Sequence, residues 1–300
     1  MPPGSSERAL AGKLQAPAVL RQLIAQPLGR VDAAVDRHRP NPNPKGGKWM
    51  CIFSLPVDSV LGTNIFARSS NGNRQYLVYS MTISAREDLA MVLPLPVPPN
   101  SPERAVRFIS LESYPNFFTD MDQGFVKCRS QSFGPAMENL VVHDVGSFQA
   151  SFVPTIPDFA RLDKRFRLPA NTWDQLPIYQ DYGFAVFKLK RGANTIHPMA
   201  FEFPRRNPDL LYFPTVHIHD GQVHPEAHFD HELYYQADAE IDEHVRMDRS
   251  TEPAGHFMDT AKAEGIIEPT KFCYKERLYG PLPNQDTWIG NLRKLRRRAP

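Results

Sequence analysis

Residues 69–84 read Ser-Ser-Asn-Gly-Asn-Arg-Gln-Tyr-Leu-Val-Tyr-Ser-Met-Thr-Ile-Ser, the clearest structural signal in the chain. Asn and Gly tolerate the positive φ of tight hairpin turns, so Ser69–Asn73 is expected to reverse the chain. Beyond it, Gln75, Leu77, Tyr79 and Met81 alternate with Tyr76, Val78, Ser80 and Thr82. Both faces carry apolar groups, which predicts a central strand covered on both sides. Outward from it, 50–55, 64–68 and 89–97 are further β-branched or aromatic runs separated by turn residues. Pro94, Pro96, Pro98 and Pro99 end the last of these, because proline cannot donate to a ladder.

Short strands are expected again at 106–111, 141–153, 183–189, 196–203 and 210–219, with a final one at 271–279. Residues 114–125 and 158–166 are expected to be helical, the second with Phe159, Leu162 and Phe166 on one stripe, and a last helix is expected over 255–265. No internal repeat of solenoid or propeller period is present. The sum is an α+β, β-rich body of mainly antiparallel sheet with a few short helices. Residues 49–291 form this single body, since no stretch inside it is long enough to mark a linker.

The 300 residues are 41% hydrophobic and 23% charged, ordinary for a globular protein. No run approaches the roughly 18 apolar residues of a membrane span. The N-terminus lacks the apolar core of a secretory signal. Cys51, Cys128 and Cys273 are odd in number and far apart, which excludes a disulfide framework or thiolate zinc site and fits a cytoplasmic location. The formal charge of +2 is unevenly placed: residues 1–48 and the tail 292–300 carry +5 each, leaving 49–291 at −8. An acidic body argues against a nucleic-acid face, except through the basic tail. Residues 1–48 read as an appendage. Its apolar residues recur near helical spacing until Pro17 and Pro27 interrupt them, and 40–47 is an extended linker. Acidic Glu7, Asp32 and Asp36 weigh against a transit peptide, leaving docking onto the body or a partner.

Four pieces, in order, are similar to an uncharacterised bacterial family, a domain of unknown function: 89–97 ending in Pro-Leu-Pro-Val, Val145-Gly-Ser-Phe148, Tyr182-Gly-Phe184 and Pro198-Met-Ala-Phe-Glu-Phe203. The resemblance spans about residues 60–215. It implies a domain layout and no chemistry.

Five of the ten histidines fall within fifteen residues: His217, His219, His224, His228 and His231. On a strand, His217 and His219 project from one face and could offer two nitrogens to one ion. His224 could return after the Asp220-Gly221 turn as a third ligand. His228 and His231 share a face if their segment is helical and split if it is a strand. Asp230 or Glu232 could then act as general base. The spacing matches no named metal motif, so ligand density alone carries this reading. Other nucleophile or phosphate motifs are missing: there is no GxSxG, P-loop or GxGxxG. Cys51 and Cys128 read as buried thiols. Tyr179, Tyr182, Tyr212, Tyr234 and Tyr235 could line a pocket or fill the core, and Arg205-Arg206 could bind an anion or form a solvated turn.

Two functions follow. In the first, a divalent transition metal (Zn, Fe, Cu, Ni or Mn) held by the histidines serves an enzyme acting on a small-molecule substrate by hydrolysis or oxidation. In the second, the histidines are structural. The chain is then a non-catalytic binding or scaffold protein with a protein partner, or a homo-oligomer.

Overall fold

The computed structural model describes residues 52–125, 149–218, 222–237 and 248–290. At the hairpin, Gly72 and Asn73 take positive φ of 68° and 57°, as their side chains permit. The turn joins β2 (Ser59–Ser70) to β3 (Arg74–Ala85), with Ser70 paired to Arg74. The other strands are β1 (Ile52–Phe53), β4 (Leu89–Leu95), β5 (Arg107–Ser110), β6 (Gln149–Val153) and β7 (Gly183–Leu189). They continue through β8 (Gly192–Pro204), β9 (Leu210–Phe213), β10 (Glu226–Gln236), β11 (Asp248–Pro253), β12 (Phe272–Pro283) and β13 (Thr287–Gly290).

These strands make a seven-stranded sheet ordered β11-β12-β10-β2-β3-β8-β5, a four-stranded sheet β1-β4-β7-β6 and a two-stranded ribbon β13-β9. Strand pairs are antiparallel except β10 with β2, which run parallel from Glu232 beside Asn64 to Gln236 beside Arg68. β3 lies between β2 and β8, so its backbone is paired along both edges, and its alternating side chains enter a core on each face. On one face Leu77, Tyr79, Met81 and Ile83 share a core with Ile65, Phe201, Phe203, Leu233 and Tyr235, and with the four-stranded sheet. On the other, Val78 joins Phe66, Ala200 and Tyr234 beneath α1 (Phe117–Gln123) and the segment carrying Met258, Ala263, Ile266 and Ile267. Burial of Phe117, Phe118 and Met121 stabilises α1 by roughly 1.5–3 kcal/mol per side chain. Seven residues of isolated helix would not persist without it.

Two expected helices are absent. Residues 156–161 and 164–166 are 3-10 turns interrupted at Leu162, whose backbone is extended (φ −81°, ψ 159°). The Asp163 carboxylate accepts the Arg165 amide at 3.0 Å, offering the backbone a local partner in place of a continued helix. Residues 255–265 contain a 3-10 turn over Ala254–His256 and then irregular turns, with Glu264 and Gly265 at positive φ. Among the described residues no helix is long and apolar enough to cross a membrane. The expected N-terminal appendage, the basic tail, Cys51 and Cys128 lie outside the described residues, as do 126–148, which hold most of the expected 141–153 strand.

Candidate functional site

β10 is a strand, so its side chains alternate. His231 goes to the inner face with Phe229, Leu233 and Tyr235, while His228, Asp230, Glu232 and Tyr234 go to the other. His228 is exposed and meets the Tyr279 ring edge-on at 6.1 Å. His224 is exposed in the loop before β10. His219 lies outside the described residues. The chain from Thr215 to Ile218 is irregular, touching β1 through a single bridge between Ile218 and Ile52. Pro214, which cannot donate to a ladder, follows β9 directly.

Among the described histidines of the cluster, His217 and His231 meet. Both are buried, and their rings stack at 5.0 Å and 27°, with Phe229 4.2 Å from His217. Stacked this way the imidazoles pack as apolar plates instead of aiming two nitrogens at a common ion. Burial pulls the His231 pKa down to about 3, so it is neutral. Among the described residues no group of three His, Cys, Asp or Glu side chains is placed to hold a metal ion. The metal-dependent enzyme expected from the cluster is thereby overturned: the residues are dense in sequence but divided between two faces of a sheet and a loop.

The two acids proposed as bases have other engagements. Asp230 accepts the Gly62 amide at 3.4 Å. Glu232 pairs with Lys275, with Arg277 at 2.5 Å, and accepts the Tyr234 hydroxyl at 2.7 Å. Burial alone would raise the Glu232 carboxyl. The bonds from Lys275, Tyr234 and Arg277 and the charge of Lys275 outweigh it and hold the carboxyl below its ordinary range. Lys275 also binds Asp122 of α1 at 2.7 Å, so this network fastens the helix to the sheet. The Cys273 thiol is buried and raised to about 12, too high to supply thiolate near neutrality.

A groove opens beside the histidine pair instead. Its volume is about 500 Å³, within the usual range for ligand sites. One wall is the run of 3-10 turns carrying Gln175, Leu176, Pro177, Ile178, Tyr179 and Tyr182; the other is Asn284–Trp288; Val216 and Val223 complete it. The 284–288 wall is held by a clasp. The Asp286 carboxylate accepts the Tyr179 and Tyr212 hydroxyls, each at 2.7 Å, and the Thr215 and Val216 amides at 3.0 and 3.1 Å. The Asn284 side chain accepts the His217 amide at 2.7 Å and donates to the His217 and His224 carbonyls at 2.9 Å. Burial raises the Asp286 carboxyl, with its four donors acting in the opposite sense, and burial beside that carboxylate raises Tyr179 and Tyr212 well above ordinary phenols.

All of the aromatics expected near a pocket are buried in the core; Tyr179 and Tyr182 also border this groove. Arg206 is neither free nor solvated. It donates to the Val97 carbonyl at 2.8 and 3.0 Å and pairs with Asp181 at 2.7 Å. Asn284 and Asp286 escaped the sequence reading, for their partners lie about 70 residues away and no short motif marks them.

A β-rich architecture of stacked, mostly antiparallel sheets is thus established. No protein-family model and no curated protein matches the chain. Among solved structures, baculovirus P35 is similar at 13% identity and a TM-score of 0.44 over 80% of this chain and 99% of that one. A mutated baculovirus P35 after caspase cleavage gives 14% and 0.41 over 76% and 99%, and a caspase-8/P35 complex gives 13% and 0.40 over 77% and 96%. Scores below 0.5 carry no functional argument, so function rests on the residues of this chain.

Proposed function

We propose that the chain is a non-catalytic binding protein and that the groove between 175–182 and 284–288 receives a segment of a protein partner. The observation that carries the proposal is the contrast between its acids and its groove. Glu232, Asp286 and Cys273 are engaged in structural bonds or buried as the uncharged thiol. The groove walls are fixed in advance by the Asn284 and Asp286 clasp. A wall already ordered costs little further entropy on binding, which favours recognition. The exposed Gln285 amide suits a peptide backbone, and the exposed Ile178 and half-buried Trp288 suit apolar side chains.

The test is panning of a random-peptide library against the full chain, with counter-selection on Ile178→Trp, which fills the mouth of the groove. Peptides binding at about micromolar Kd to the parent, and roughly tenfold or more weaker to the variant, are expected. Peptides indifferent to Ile178→Trp, or no enrichment at all, overturn the proposal.

A further inference from the structure

Among the described residues Asp286 is the one charged side chain lining the groove, and its four hydrogen-bond donors are all neutral: two phenols and two backbone amides. Among the described residues no Lys or Arg is bonded to it. Neutral donors stabilise a carboxylate but leave its net charge in place. Arg206 is nearby, with its guanidinium 5.1 Å from the Tyr182 ring centre. It is committed to the Asp181 carboxylate and to the Asp181 and Val97 carbonyls.

The rest of the wall suits a cation as well. The half-buried Trp288 lines the groove, and aromatic faces attract ammonium and guanidinium groups. Arg206 over Tyr182 is one such contact. Leu176, Pro177, Ile178, Val216 and Val223 offer apolar surface to the methylene stem of a long basic side chain. The charge of −8 over residues 49–291 would draw a basic segment towards this body.

We infer that the groove takes a lysine or arginine side chain presented by an extended segment of the partner, with Asp286 supplying the charge and Trp288 an aromatic wall. The inference rests on the reading of the groove as a protein-binding site and adds the chemistry of the residue bound. It differs from a surface ion pair in that the carboxylate is already positioned and desolvated. The cation gains that charge without ordering it first.

The experiment uses the full chain labelled with 5-fluorotryptophan. The Trp288 fluorine resonance is assigned by its loss in Trp288→Phe. Acetyl-arginine methylamide is titrated against acetyl-citrulline methylamide, which has nearly the same shape and no charge. A saturable shift of the Trp288 resonance is expected, with the arginine probe roughly tenfold tighter than the citrulline probe. Ile178→Lys places a cation at the exposed mouth, where it disturbs no hydrogen bond of the fold, and is expected to weaken the arginine probe by a similar factor. Asp286→Asn is expected to do the same in protein whose circular dichroism shows it folded.

Equal responses to the two probes, no response to either at tens of millimolar, or full affinity in Ile178→Lys would overturn the inference. Equal responses alongside panned peptides that need an open groove leave the protein-binding reading standing without charge selectivity. An arginine-selective shift with no enriched peptide does the reverse, keeping the cation site and removing the protein partner.

Discussion

Replacing His231 with leucine tests the account of the histidine pair. His231 is completely buried, neither ring nitrogen has a hydrogen-bond partner, and burial is the sole cause of its lowered pKa. The titratable or charged side chains beside it include His217 stacked upon it, Glu276 on the same face of β12, and Asp230, Glu232, Lys275 and Arg277 on the opposite face of β10 and β12. None offsets the cost of charging it. In the unfolded chain the imidazole titrates near 6.5, and in the folded protein near 3. Between those values the unfolded state binds the extra proton, so stability falls as pH falls through this window. From pH 7 to pH 5 the loss from this one group is about 2 kcal/mol. His231→Leu, of similar volume, removes that loss and keeps the packing against Phe229 and Leu278. Urea unfolding followed by circular dichroism at the two pH values is the assay. The parent is expected to lose about 2 kcal/mol more than the variant between pH 7 and pH 5. His197, also lowered by burial, contributes to both proteins and cancels in the difference. An equal loss in parent and variant would refute the reasoning, because it would mean that His231 is already charged or already exposed when folded.

Other outcomes follow from other contacts. Lys275→Met leaves Asp122 and Glu232 facing each other without the cation between them and is expected to destabilise by about 1.5–3 kcal/mol, less than a fully buried pair because Asp122 and Glu232 are partly exposed; urea midpoints check it, and the effect should shrink in Lys275→Arg. Gly183→Ala sets a methyl 2.5 Å from the Phe152 ring and should cost about 1–3 kcal/mol, measured the same way. Asn284→Ala removes three hydrogen bonds to 217 and 224 and should speed amide exchange at 215–217 by roughly tenfold or more, with the β2–β3 hairpin amides unchanged. In Cys51→Ser/Cys128→Ser protein, Cys273 should resist aromatic disulfide reagents until urea is added, since its thiol is held near 12.

How much was legible follows the range of the forces involved. The Asn-Gly turn and the two-faced strand after it are set by local backbone and side-chain properties, and both stand where the sequence put them. Residues 183–189 likewise match β7 end to end, bounded by Gly183 and the charged run that follows Leu189. The 158–166 stripe misled because spacings near three suit 3-10 turns as well as an α-helix, and Asp163 tips the balance through a bond to its own backbone. The histidine cluster misled for a different reason. Closeness in sequence says nothing of facing, and the period of two along β10 separates His228 from His231. The groove is least legible of all. Asp286 and Asn284 act on 215–217, and only the assembled fold brings them there.

The parallel pairing of β10 with β2 has a bearing on synthesis. The β2–β3 hairpin can close as soon as it leaves the ribosome, and β8 can join β3 once residue 204 has emerged. The other edge of β2 then stays bare until Glu226–Gln236 arrives about 160 residues after the hairpin's first strand ends. During that interval the nascent chain displays a twelve-residue strand with an apolar flank, Val60, Ile65 and Phe66 among it, to any chain able to pair with it. Late arrival of β10 and β12 therefore makes chaperone capture, or slow translation before residue 226, the natural safeguard of the yield of folded protein.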